Sequence, residues 1–468
     1  MLSLDRMSRS EEDIKPDPSD LELFLPWVSK ELQLNIEMQI ERITQKDFTS
    51  ALASERSKPP KSQHQVLSPS NPTLGSDHAS TVSEEDQNII HLALIYDHSD
   101  NLVGLQLDKN RKIPRELIKI IGLVLPFHVY LTSVTISTGL DAFIMYELCK
   151  ILPISKITDM CLDGCFVEEG NYYILLESKS SLVNLSLSRC QMGDVVVDMI
   201  ASRLAHPLPG SKLLALNLST NRISDVGARS IGMALRANIK LAYLNLADNM
   251  ITDEGADAIL NSCLEYPLSH EEVFAARQRN LDYLKAKNQL IAEMLTELKS
   301  DLDSDRKSAK KRKTTVTIGK KVKGSDRDRE GSIKSQSIGD LDSLFSEKAE
   351  TMAMESLGLF TDPHSPDNIV ARDNLVFCKG NSTLCYLNLA YNNLSYSSVK
   401  KMYEVLKYQN LDKVPKGLVN VCLEGNPLPI SSREMSLIDD ILDYNLNTLC
   451  KRTLNQVQKK KPGKGVKS

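Results

Sequence analysis

Three groups of residues have the types that chemistry needs, and each falls short at one defined position. Gly319 and Gly324 have the glycine spacing of a phosphate-binding loop, but Ser325 stands where a lysine must reach the phosphates. His270-Glu271-Glu272 opens like a zinc-protease helix and lacks the second histidine. Cys161 and Cys165 are four residues apart, and none of the nine cysteines has the C-x-x-C spacing of a zinc or thioredoxin site. No Ser-His-Asp grouping can be assembled from the eight scattered histidines. The sequence therefore predicts no catalytic, cofactor or metal residues, and a protein that is not an enzyme.

What remains is binding chemistry, of two kinds. The first is a basic run, Arg306, Lys307, Lys310, Lys311, Arg312, Lys313, Lys320, Lys321 and Lys323. Such a run suits an acidic protein surface such as a tubulin tail, or a nuclear import signal, and like-charge blocks are also common as plain solvated linkers. No aromatics interleave with it, which argues against single-stranded nucleic acid. A second basic stretch, from Lys459 to Lys467, closes the sequence. The other kind is a set of tyrosines, asparagines and carboxylates whose positions only the fold explains.

Those positions belong to a repeating frame: leucine, two variable residues, leucine, one variable, leucine, two variable, then asparagine or cysteine. Clear copies are Leu213-Leu216-Leu218-Asn221, Leu241-Leu244-Leu246-Asn249 and Leu384-Leu387-Leu389-Asn392, and Leu182-Leu185-Leu187-Cys190 ends in cysteine. Weaker copies start at Leu102, Ile157 and Leu418, and the poorest at Leu131 has Gly139 where the asparagine should be. The first six begin 25–31 residues apart, a leucine-rich-repeat period. Alternating leucines in a short strand point to one face, and the closing asparagine can bond backbone groups where the chain turns away. Cys161 is then a strand position and Cys165 a replacement for the asparagine. Behind two frames, Ile223-Ser224-Asp225-Val226-Gly227-Ala228 and Ile251-Thr252-Asp253-Glu254-Gly255-Ala256 predict helices capped by Ser224 and Thr252, with glycines for close packing between repeats.

This pattern resembles the ribonuclease-inhibitor-like subclass of leucine-rich repeats, over about residues 100–263 and 382–430. The resemblance implies an α/β solenoid, a horseshoe with parallel strands on the concave side and a full helix per repeat on the convex side. More narrowly, the repeats at 213–263, the helix opening Ser269-His270-Glu271-Glu272-Val273 and the basic stretch after it are similar to a leucine-rich-repeat group expressed with cilia and flagella. That likeness implies an interaction protein of the axoneme.

The frame is missing between Cys263 and Thr383, so a long helical and disordered insert interrupts the solenoid. The expected organisation is an N-terminal helix (Leu21 to Arg42) plus disordered linker over 1–90, and a first repeat block over 91–264. A charged extended helix over 265–300 and a mostly disordered basic insert over 301–381 follow. A second block fills 382–448, with a basic tail over 449–468. About eight repeats result.

The slot between the second and third leucine reads Gln106, Thr135, Cys161, Ser186, Asn217, Asn245, Asn388 and Cys422. Flanking columns add Tyr243, Tyr386 and Tyr391, with Asp108, Asp159, Asp163, Asp248 and Glu424. Tyrosines beside carboxylates suit protein recognition, so Tyr243, Asn245, Asp248, Tyr386, Asn388 and Tyr391 are the expected partner-binding residues of the concave face. Lys310, Lys311, Arg312, Lys313, Lys320 and Lys321 are those of the basic insert.

A 41% hydrophobic, 25% charged chain with net charge −4 has no global field toward nucleic acid or membrane. No apolar run reaches the roughly 18 residues of a membrane helix. An odd number of cysteines without a signal-peptide pattern predicts reduced thiols in the cytoplasm. The expected function is a non-enzymatic interaction scaffold, in a cilium or flagellum. The alternative is a cytosolic adaptor or regulator of an enzyme, GTPase-activating-like or serving a ubiquitin ligase.

Overall fold

Every leucine frame becomes a short strand, because only an extended chain turns both of its alternating leucines into one core. In the computed structural model, which describes residues 15–46, 89–177, 181–205, 211–313, 336–358, 360, 362–411, 417–429 and 431–459, Leu216, Leu218, Leu244 and Leu246 are fully buried. Burial of each such side chain contributes about 1.5–3 kcal/mol. The chain forms two units, one from the residues up to Leu264 and from Gly380 onward, the other from Glu265 to Lys379.

The first unit holds a ten-stranded sheet. Its N-terminal pair is β1 (Glu37–Thr44) and β2 (Ile89–Tyr96). The eight frames supply β3 (Leu102–Leu107), β4 (Ser133–Ile136), β5 (Asp159–Cys161), β6 (Asn184–Ser186), β7 (Ala215–Asn217) and β8 (Tyr243–Asn245), then β12 (Tyr386–Asn388) and β13 (Asn420–Cys422). The repeat strands are parallel throughout, and β12 pairs directly with β8, Leu387 beside Leu244. The array thus closes over the insert without a gap in register.

Two features of the N-terminus depart from expectation. Helix α1 stops at Glu31 (Leu21–Glu31) rather than running to Arg42. Gln33 takes a left-handed φ of 53°, and the alternation in Glu37-Met38-Gln39-Ile40-Glu41 then has the period of a strand. The second departure is orientation: β2 runs antiparallel to β3, so the first strand pair caps the array with reversed direction.

Behind the sheet stand α2 (Arg115–Val124), α3 (Ala142–Ile151), α4 (Asp194–Ala205), α5 (Asp225–Ala237) and α6 (Asp253–Asn261). The repeat from Ile157 lacks a full helix and has a 3-10 stretch, Asn171–Leu176. There the buried Tyr172 hydroxyl donates to the Cys165 carbonyl (2.6 Å) and accepts from the Val167 amide (2.9 Å), holding the shorter connection. Ser224 and Thr252 cap α5 and α6 as their positions predict.

A carboxylate ladder joins these helix starts. Asp194 accepts from the Ser224 and Gly227 amides, and Asp225 from those of Thr252 and Gly255. A Cβ on Gly227 or Gly255 would stand 2.6 or 2.5 Å from the carboxylate, so glycine is required there. Across the insert, Asp253 accepts from the amides and hydroxyls of both Ser395 and Ser398, at the start of the helix Tyr396–Gln409.

The second unit has its own small sheet, ordered β10 (Ile369–Arg372), β11 (Leu375–Cys378), β9 (Tyr266–Pro267). Its long helix α7 spans His270–Lys313, past the expected end at residue 300. The reason is compositional: no glycine or proline stands between Ser269 and Gly319. Ser269 and Glu272 close its start reciprocally as a capping box. A second helix, α8 (Gln336–Leu357), runs antiparallel to it, with Lys287 paired to Glu350 and Tyr283 donating to the Gly358 carbonyl. Residues 301–313 and 336–345 of the stretch expected to be disordered are therefore helical.

In the first unit, α9 (Tyr396–Gln409) completes the seventh repeat and α10 (Arg433–Lys459) closes the array. Asn445 of α10 is buried and donates to the Leu418 carbonyl, at the start of the last repeat frame. The expected basic tail thus begins in helix, up to Lys459, and 460–468 lie outside the described residues.

Candidate protein-binding face

The turn after each strand fixes which side chains reach the strand face. The closing asparagines Asn221, Asn249, Asn392 and Asn426 donate to the carbonyls of Leu187, Leu218, Leu246 and Leu389, one repeat back, at 2.9–3.1 Å. Cys165 and Cys190 do the same work with thiols, to Ile136 and Leu162 at 3.1 and 3.2 Å. Burial pushes both thiols up to about 12, so they stay protonated and structural. The residue just before the ladder position is left-handed in repeat after repeat: Lys109, Gly164, Arg189, Thr220, Asp248, Tyr391 and Gly425 have φ between 53 and 80°.

That conformation separates the expected binding residues into two sets. Tyr243, Asn245, Tyr386 and Asn388 lie on adjacent strands, with Tyr243 beside Tyr386 and Asn245 beside Asn388. The two tyrosine rings stack at 4.1 Å between centroids and 4° between planes. The Oδ1 atoms of Asn245 and Asn388 accept from Ala247 and Ala390 amides two residues on, at 3.0 and 2.9 Å. Asp248 and Tyr391 stand apart from this group, in the turn rather than on a strand, and both are exposed. Their amides donate to Ala390 and Glu424 of the next repeat.

The middle column is in register from Gln106 to Cys422. Over β4 to β8 it borders a depression of about 210 Å³ lined by Asp159, Cys161, Asn184, Ser186, Asn217 and Tyr243, among others. Asp159 accepts from Asn184, and Asp163 from the Ser186 hydroxyl, so each carboxylate is held by the repeat that follows. Burial, with Asp163 second, pushes the Cys161 thiol up to about 11, which makes it a poor nucleophile at neutral pH. The three strand-face columns hold Asp108, Asp159, Asp163 and Glu424 and no lysine or arginine. The face is acidic, and tyrosine-walled at one end of its depression.

Asn184 is the residue the sequence reading passed over. The column before the second leucine would have shown it, since Ser133, Asp159, Asn184 and Ala215 are small there and Tyr243 and Tyr386 are large. Of the basic residues, Lys310, Lys311, Arg312 and Lys313 lie in the last turn of α7. Lys320 and Lys321 lie outside the described residues. Among the described residues no cluster of histidine, cysteine and carboxylate has metal-site geometry, and no helix is long and apolar enough to cross a membrane.

A family model described as Leucine Rich repeat matches residues 211–232 and 237–260, the two repeats with the most regular frames. A crystal structure of an internalin from Listeria monocytogenes is similar at 12% identity, over 74% of this chain and 69% of that one, with a TM-score of 0.26. No curated protein matches. Frame, asparagine ladder and matched residues agree on leucine-rich repeats over these two stretches of the chain.

Proposed function

We propose that the chain is a non-enzymatic scaffold that holds a partner protein on its strand face. The observation that carries this reading is the stacked Tyr243–Tyr386 pair, whose Tyr243 lines the depression of the strand face, with Asn245 and Asn388 beside it. Rigid aromatic side chains lose little entropy on binding and recur at the centres of protein interfaces. Four carboxylates without a cation in the same columns favour a partner surface with exposed lysines or arginines. The basic end of α7, Lys310 to Lys313, offers a second, salt-sensitive contact for an acidic surface such as a tubulin tail.

The finer part of the proposal is place. The resemblance to leucine-rich repeat-containing protein 71 supports a structural or assembly role in the axoneme of cilia and flagella. The test is a tagged chain in multiciliated cells, wild type beside Tyr243→Ala with Tyr386→Ala. Axonemal signal with partners that the double variant loses supports the reading. Diffuse signal with GTPase or ubiquitin-ligase subunits in the pull-down refutes it in favour of an enzyme regulator.

A further inference from the structure

Helix α7 carries more apolar surface than its own unit covers. Over residues 270–300 not one of its side chains is fully buried, although a helix in water takes most of its stability from packing an amphipathic face. Helix α8 meets one side of it, at Lys287, and α8's own fully buried side chains, among the described residues, are only Ala349 and Ala353. A second stripe is left over, at Leu281, Leu284, Asn288, Ile291, Leu295 and Leu298. Leu281 is 51% exposed and Leu284 44%, Asn288 is exposed, and the last three are half-buried.

The spacing says what kind of element fits. Steps of three, four, three, four and three residues place Leu281, Asn288 and Leu295 at the a positions of heptads and Leu284, Ile291 and Leu298 at the d positions, over about 26 Å. Arg277, at the preceding d position, ends the apolar seam. The exposed apolar residues of the repeat helices, such as Phe143 and Tyr146 or Val226 and Met233, keep no such run. A seam of this kind is filled by the side chains of a facing helix with the same repeat.

Asn288 says which helix. Its amide has both donors and an acceptor, so inside a seam it is satisfied by a second amide at the same level, and one polar a residue among apolar ones sets register and strand number. A second copy of this chain, parallel and in register, brings Asn288 opposite Asn288 and like apolar residues opposite each other in every other layer. An antiparallel pair overlapping the same residues would set Asn288 against Ile291 and leave the amide unpaired. The flanking positions accept the parallel pair: Asn280 meets Lys285, Lys287 meets Ala292, and Met294 meets Lys299, so no like charges face each other. Lys285 and Lys287 also have their own carboxylates, Asp282 at 3.8 Å and Glu350 at 2.7 Å.

We propose that residues 281–298 of α7 are a dimerisation seam, whose occupant is the same helix of a second copy in a parallel, two-stranded coiled coil. The seam lies outside the strand face and does not depend on what binds there.

The test is light scattering on the full chain over a hundred-fold range of concentration. The wild type should reach twice the 52.2 kDa mass of one chain. Leu284→Glu with Leu295→Glu should raise the dimer Kd at least ten-fold while the melting curve of the repeats stays in place. Register is read separately: Asn288→Cys should cross-link to its own counterpart under mild oxidation, since facing a positions are close enough for a disulfide, and Gln289→Cys, one residue off the seam, should not. Mass spectrometry of the peptides identifies the bond. A wild type that stays monomeric throughout overturns the proposal and leaves the stripe to a helix of another protein. A dimer equally tight in the double variant overturns it, and so does cross-linking that is no better at 288 than at 289.

Discussion

Asp253 ties the start of the second repeat block's first helix to the helix layer of the first block. It accepts the amides of Ser395 (2.9 Å) and Ser398 (3.2 Å) and both of their hydroxyls. Hydrogen bonds to a charged acceptor are worth about 1.5–3 kcal/mol each. These four share one side chain at a partly exposed rim, where water replaces part of the loss, so Asp253→Ala should cost about 2–3 kcal/mol in total. Because a solenoid couples nearest neighbours, that cost should be local. Hydrogen exchange followed by mass spectrometry should show faster exchange over residues 380–459 and little change over 89–205. Burial opposes ionisation of Asp253, but the hydrogen bonds from Ser395 and Ser398 outweigh it and hold the carboxyl below its ordinary 3.8. A depressed carboxyl contributes stability above its unfolded value, lost as pH falls through its folded one. The wild-type advantage over Asp253→Ala should therefore be full above about pH 4 and vanish in stronger acid. Uniform acceleration across the whole array, or an unchanged pattern, would refute the reasoning that this carboxylate joins the blocks.

Other outcomes follow from the same geometry. Leu216→Asp places a charge in a fully buried slot and should abolish soluble expression, since an unpaired buried charge costs more than a typical domain's stability margin; a soluble, cooperatively melting variant would contradict the frame. Cys165 and Cys190, buried with raised pKa values, should resist iodoacetamide at pH 8 in the native protein while exposed Cys450 reacts. Mass spectrometry before and after denaturation reads this directly. Deleting residues 304–345 should leave the array's melting within about 1 kcal/mol of wild type and lower affinity for acidic partners mainly at low salt. Unfolding of the array on that deletion would show that the insert supplies part of its core.

The repeats were legible because strand periodicity and the left-handed turn leave marks at fixed spacing. Leu241, Leu244, Leu246 and Asn249 each answer to a separate physical demand, and a chain meeting all four cannot sit otherwise. The N-terminal cap left weaker marks. Met38, Ile40 and Ile43 alternate imperfectly, and their partner strand begins at Ile89, some 45 residues on. The carboxylate ladder was half visible: Asp225 and Gly255 could be read as a helix start and a packing position, but not as two ends of one hydrogen bond. On the binding face, column membership located Tyr243 and Tyr386, whereas the left-handed turn that removes Asp248 and Tyr391 from the strand lies outside the frame's alternation.

The direct pairing of β8 with β12 also bears on how the protein folds. Tyr243 and Tyr386 are neighbours separated by 143 residues, where a usual repeat step such as Leu213 to Leu241 spans 28. Loop closure grows with the logarithm of length, so docking β12 costs about 1.4 kcal/mol more than docking a usual repeat. The insert itself removes most of that cost. In its small sheet Tyr266 pairs with Cys378 and Pro267 with Phe377, which brings the insert's first and last residues side by side. Once those strands have zipped, the chain on either side sees a short connection, and the second repeat block can add to the growing array as an ordinary next step. The nascent chain should accordingly complete its repeats up to Leu264, then the insert, and only then the final two repeats. Shortening the insert at random would leave that order intact, whereas breaking the β9–β11 pairing would slow the last step without touching the array that waits for it.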